Sequence, residues 1–144
     1  MVRRPSRYPV AALVVAALGT LMVVVPAQPA EAAMRCSATD DFKARNCLRV
    51  DFKGQEAQHG RVGRLYGNPA TALCRYTGEI EATYPNGNRD VFKGDYQKDC
   101  PQGPAHYVDV PAIEGSWFPG GTRLCGTFIL DGERKPGRPC MTVE

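Results

Sequence analysis

Histidine, serine and tryptophan are scarce in this chain, and each shortage removes a class of chemistry. Only His59 and His106 carry imidazoles, and neither adjoins a cysteine. No two cysteines are close enough to form a C-x-x-C knuckle, so no metal site is expected. Beyond residue 32 the only serines are Ser37 and Ser116, and Gly115-Ser116-Trp117 lacks the glycine arrangement of a nucleophile elbow. Helical windows are missing as well. After residue 32, Gly or Pro interrupts every stretch of ordinary helix length that keeps a helical apolar period, which leaves at most one turn of helix, around Thr39–Arg45.

An excess of charge of one sign is also lacking. Residues 33–144 hold fifteen basic and fourteen acidic side chains, so the surplus of the full chain belongs mostly to its N-terminal segment. A near-neutral domain without clustered Lys and Arg predicts neither nucleic acid nor an anionic membrane as partner.

That N-terminal segment has the three zones of a secretory leader: a basic start (Arg3, Arg4, Arg7), an apolar run from Val10 to Val25, and a small-residue exit. The run is shorter than the roughly 20 residues of a spanning helix and is closed by Pro26, which argues against a retained anchor. Ala30 and Ala32 form an A-x-A site, so cleavage is predicted after Ala32, leaving a single extracellular domain over residues 33–144 with no membrane attachment. Ala33, Met34 and Arg35 before Cys36 do not make a lipobox. The twin Arg3-Arg4 lacks the apolar continuation of its motif, so the general export route is expected.

All six cysteines (Cys36, Cys47, Cys74, Cys100, Cys125, Cys140) lie in the exported part. An even number in an oxidising compartment reads as three disulfides, which leaves no thiolate nucleophile. Fifteen pairings are possible, and local geometry ranks them. From Cys74 the faces alternate strictly: Tyr76, Gly78, Ile80, Ala82 and Tyr84 share one side, and Thr77, Glu79, Glu81 and Thr83 share the other. Asn86-Gly87-Asn88 is the turn signal of a long central hairpin. A three-residue turn there sets Cys74 opposite Cys100, Phe92 opposite Ala82, Tyr96 opposite Gly78 and Lys93 opposite Glu81, although Asp95 then faces Glu79 unfavourably. Leu124–Leu130 is strand-like and Asp131-Gly132 is a turn, which favours Cys125 with Cys140. Cys36 with Cys47 follows by elimination. With further short strands at Cys47–Lys53, Arg61–Tyr66, His106–Val110, Ser116–Phe118 and Arg138–Val143, the fold class is all-β, a small disulfide-stapled antiparallel sandwich or barrel.

The function classes are weighed on few residues. Small secreted ribonucleases use His, Glu and Arg, and His59, His106, Glu79, Glu81, Arg75 and Arg89 are here, but nothing in the sequence makes them converge, and Glu79 and Glu81 read as a solvated strand face. A protease-inhibitor loop has two candidate anchors, Lys98 beside Cys100-Pro101 and Arg134 before Lys135-Pro136. Trp117-Phe118 before Pro119-Gly120 is a pair of aromatics at a type II turn, suited to anchoring a partner, against the alternative that the only tryptophan lies in the core.

The ending Gly121-Thr122-Arg123-Leu124-Cys125-Gly126, followed by Pro136-Gly137-Arg138-Pro139-Cys140, resembles the C-terminal part of small secreted, disulfide-rich actinobacterial proteins of undefined function. The resemblance covers about the last quarter of the chain and implies a structural disulfide frame with no activity attached. Small adaptor subunits of secreted umbrella toxin particles are similar in size and export. They carry an extended N-terminal strap, from which this chain departs because Cys36 follows the leader almost at once. The leading reading is a secreted, non-enzymatic binding module for a protein or surface polymer, with Trp117, Phe118 and Pro119 as contacts and no catalytic residue, cofactor or metal. A protease inhibitor and a ribonuclease-type hydrolase using His59 and His106 are the alternatives.

Overall fold

A computed structural model describes residues 32–39, 43–67 and 71–144. The leader up to residue 31 lies outside the described residues, and the expected cleavage point after Ala32 falls at the first residue of a strand. The strands are β1 (Ala32–Ala38), β2 (Ala44–Lys53), β3 (Glu56–Tyr66), β4 (Thr71–Ala72), β5 (Tyr76–Thr83), β6 (Arg89–Lys93), β7 (Gln102–Gly103), β8 (Ala105–Asp109), β9 (Arg123–Leu130), β10 (Glu133–Arg134) and β11 (Cys140–Thr142), with one 3₁₀ turn at Pro111–Ile113. All pairings are antiparallel. One sheet runs β1-β2-β3-β8 and the other β10-β9-β5-β6, with β11 also on β9, while β4 and β7 form a separate short ladder.

The two sheets pack face to face as a sandwich because the apolar side of each alternating strand points inward. Leu48, Val50, Val62 and Val108 from the first sheet meet Ile80, Ala82, Leu124, Phe128 and Met141 from the second, all buried. The approach is close where β9 crosses β2 and β3. A Cβ on Gly126 would lie 3.2 Å from Leu48 and 3.3 Å from Val62, so a glycine lets the sheets meet there.

The three disulfides are Cys36–Cys47, Cys74–Cys100 and Cys125–Cys140, as ranked from the sequence. Cys36 and Cys125 stand directly opposite their partners in the ladders. Asp131 and Gly132 both adopt positive φ, at 53° and 77°, and turn β9 tightly into β10.

Three expectations need correction. The hairpin β5–β6 is two residues out of the predicted register: Phe92 pairs with Ile80 and Lys93 with Glu79, because the turn centres on Asn86, with the Tyr84 N–H donating to the Asn88 carbonyl. Ladder and disulfide are reconciled where the chain leaves β6. The Asp95 N–H donates to the Asp109 carbonyl of the other sheet, so extra residues accumulate before Gln97 rejoins Tyr76. The strand expected over Arg61–Tyr66 starts earlier, at Glu56, and both Gly60 and Gly63 sit inside it, where the Ile113 side chain and the Tyr107 ring need the space of a missing Cβ. The turn of helix expected over Thr39–Arg45 is overtaken by β2, which starts at Ala44; Asp40, Asp41 and Phe42 lie outside the described residues.

Candidate functional site

Trp117 is held at one end of the sandwich by a frame of main-chain bonds. The Ala57 N–H donates to the Ser116 carbonyl at 2.9 Å, and the Phe118 N–H donates to the Gln55 carbonyl at 2.9 Å, so residues 116–118 form a short bridge against the β2–β3 turn with Trp117 opposite Glu56. Extended backbone sends neighbouring side chains to opposite sides. Phe118 therefore points in, fully buried, with its ring 6.1 Å from that of Tyr84 and 5.9 Å from that of Phe92. Trp117 points out and is 61% exposed.

The proposed contact set is corrected accordingly. Phe118 is a core residue and offers no surface, because the alternation that exposes Trp117 buries its neighbour. Pro119 is half-buried and occupies the first position of the turn. The Thr122 N–H donates to the Pro119 carbonyl at 3.1 Å, so Gly120 and Gly121 take the central places, with Gly121 at φ 88° as a type II turn requires. Opposite Trp117 stands the exposed Glu56; Glu114 is exposed three residues earlier in the chain, and the carbonyl of exposed Glu144 accepts from Nε2 of the neighbouring Gln55. Lys53 stands opposite Glu56 in the ladder.

No family model, curated protein or solved structure matches the chain. The reading of the site therefore rests on its own geometry.

The two histidines are not brought together. His59 faces outward from β3 between two carboxylates, with Nε2 3.2 Å from Asp109 Oδ1 and Nδ1 3.8 Å from Asp51 Oδ2. Arg61 and Arg49 pair with the same two acids. His106 faces inward from β8, buried, with Nε2 2.8 Å from the Thr71 carbonyl and its ring edge-on to Tyr66 and Tyr76. Opposite faces of one sheet separate them, so they do not form an acid–base pair.

Glu79 and Glu81 do not lie on an open face either. The segment from β10 to β11 runs along the edge of β9 away from β5, with the Lys135 N–H donating to the Phe128 carbonyl and the Gly126 N–H to the Pro139 carbonyl, and its arginines reach over the outer face, where Arg134 pairs with Glu79 and Arg138 Nη2 lies 3.0 Å from Glu81 Oε1. Glu79 is buried. The hydrogen bond from Arg138 holds the Glu81 carboxyl below the usual carboxylate range against the opposing effect of desolvation, and the charges of Arg138, Arg89 and Arg134 add to the lowering. A carboxyl shifted in that direction is unsuited to act as a general acid. Arg75, another member of the sought constellation, pairs with Asp131 at 2.8 Å.

Of the two inhibitor-loop anchors, Arg134 lies in β10 and is engaged by Glu79, while Lys98 is exposed beside the Cys74–Cys100 bridge. Sequence reasoning missed a buried polar link between the sheets. Arg64 Nη1 donates to Asn46 Oδ1, and Asn46 Nδ2 donates to the carbonyls of Pro136 and Gly137 at 2.7 and 2.9 Å. Both residues sit on the inward face of their strands, and the period-two pattern of Ala44-Asn46-Leu48-Val50 carried that signal. Among the described residues no group of three or more His, Cys, Asp or Glu is placed to hold a metal ion, and no helix is long and apolar enough to cross a membrane.

Proposed function

We propose that the protein is an exported, non-enzymatic binding module whose contact residue is Trp117, and that its partner is an extracellular protein or surface polymer. The observation that carries this reading is the exposure of the chain's only tryptophan on a backbone fixed from both sides. A large apolar side chain held rigidly in water loses little conformational freedom on docking, which is the property of an interface anchor. Export is supported by the leader sequence and by three bridges of the kind that persist in oxidising compartments. The carboxylates of Glu56, Glu114 and Glu144 favour a partner that presents Lys or Arg near the indole, where cation–π attraction adds to charge pairing.

The test is parallel capture from culture supernatant on native protein and on Trp117→Ala of equal thermal stability. A partner retained by the native protein and lost with the variant supports the reading. Equal retention, or none, removes it. The inhibitor alternative now rests on Lys98, and inhibition of a trypsin-like protease that disappears with Lys98→Ala would favour it over the binding module.

A further inference from the structure

The near-zero net charge hides a separation of charge. While the Trp117 end is acidic, the outer face of the second sheet gathers Arg89, Lys93, Arg134 and Arg138 around two carboxylates, Glu79 and Glu81, that are already paired. A cleft of about 480 Å³ opens there, lined by Glu81, Thr127, Arg134, Lys135, Gly137 and Arg138 among others. Thr127 on β9 is part of that lining; the residue is 5% exposed overall, and its hydroxyl makes no hydrogen bond to any described residue. A hydroxyl without a protein partner in the lining of a cleft is free to bond a ligand atom.

The ladder explains how the cations come to share a cleft with that hydroxyl. Thr127 stands directly across from Glu79, and Glu81 is the next residue on the same face of β5. Arg134, reaching to Glu79, is therefore set at the level of Thr127, and Arg138, reaching to Glu81, two residues along, at the level of Cys125. Each ion pair engages one terminal nitrogen, Nη1 of Arg134 and Nη2 of Arg138, and a guanidinium has further N–H donors to offer. The two glutamates thus act as positioning residues that fix the guanidinium planes. Lys135 at the rim is held by Glu133.

We propose that this cleft is a binding site for a phosphate group, with the Thr127 hydroxyl and the guanidiniums of Arg134 and Arg138 as its donors. A hydroxyl and two guanidiniums lining one cleft suit a tetrahedral oxyanion, with several oxygens to satisfy, better than a planar carboxylate, which one guanidinium fork satisfies. The cleft is larger than a lone ion, so the phosphate is carried as an ester on a larger molecule or polymer.

The proposal is tested by calorimetric titration of the purified, disulfide-bonded protein with inorganic phosphate, glycerol 1-phosphate and acetate. Saturable binding of both phosphates and none of acetate is expected, with glycerol 1-phosphate the tighter. Equal affinity would assign the site to free phosphate rather than to an ester. Thr127→Val removes only the hydroxyl and keeps the side-chain shape, and Arg138→Gln removes one guanidinium. Each should weaken phosphate binding about ten-fold or more, the worth of one hydrogen bond to a charged group. Lys98→Gln, away from the cleft, should leave it unchanged. Absence of saturable binding to the native protein, or undiminished binding in both Thr127→Val and Arg138→Gln, would overturn the site, as would an equal loss in Lys98→Gln.

Discussion

Trp117 and Glu79 occupy each other's expected places. The indole, the largest apolar side chain of the domain, is mostly in water, while the Glu79 carboxylate, on what alternation marks as the polar face of β5, is 7% exposed. The difference lies in what covers each position. The outer side at residue 117 is left mostly open, where the chain bonds edge-on to the β2–β3 turn and continues into the Gly120-Gly121 turn. On β5, by contrast, the stretch from Arg134 to Arg138 runs along the far edge of β9 and sends two guanidiniums over the outer face, where they pair with Glu79 and Glu81. Hydropathy describes a residue. Side chains laid over it from a neighbouring segment make its face buried or open.

The comparison can be broken most forcefully at the neighbour of the exposed residue. Phe118→Ala should cost about 3–5 kcal/mol in urea unfolding with the bridges intact, the range for emptying a buried aromatic site. A loss under about 1 kcal/mol would mean that the ring is not part of the core. On the covered face, Arg134→Ala strands the Glu79 carboxylate and should cost about 1–2 kcal/mol, at the low end because Arg134 itself is 65% exposed. Adding Glu79→Gln to that variant should recover part of the loss, since a neutral amide tolerates the site better than an unpaired charge.

A smaller effect sharpens the role of Glu81. Its carboxyl is lowered in the folded state, so the stability it contributes is fully present above the pKa of the unfolded chain and is lost as pH falls through the lower folded value. Thermal melts taken downward from neutral pH should show an acid limb that flattens in Arg138→Gln, whose main hydrogen bond to Glu81 is gone. An unchanged limb would place the acid sensitivity elsewhere. The smallest effect belongs to Trp117→Ala, which should shift unfolding by no more than about 0.5 kcal/mol, as expected of a side chain that leaves the core untouched. A large loss there would show that the indole is structural after all.

Much of the fold was legible because it is written in short-range patterns. Strict alternation in β5 marked its buried face, Asp131-Gly132 marked a turn, and the cysteine spacings ranked the correct bridges. The register of β5–β6 was not legible, since Asp95 leaves the hairpin to bond across to Asp109 of β8, a strand that local pairing rules do not see. Likewise the part of β3 before Arg61 was not legible, since the strand continues through Gly60 where Ile113 packs beside it. Of the candidate site, Trp117 was legible as a residue of interest, but which of Trp117 and Phe118 faces water was not. The cleft was invisible, because Thr127, Arg134 and Arg138 carry no motif and meet only when β9, β10 and the returning segment are assembled.

By itself the sequence determined an all-β, cross-linked domain, since period-two patterning, turn residues and paired cysteines act over a few neighbouring positions and need no knowledge of the rest of the chain. Only the tertiary structure decided which polar residues are covered, where charge collects on a nearly neutral surface and which aromatic is left outside. Those outcomes depend on segments far apart in sequence coming to lie over one another, and packing between distant segments is a property of the assembled sheets alone.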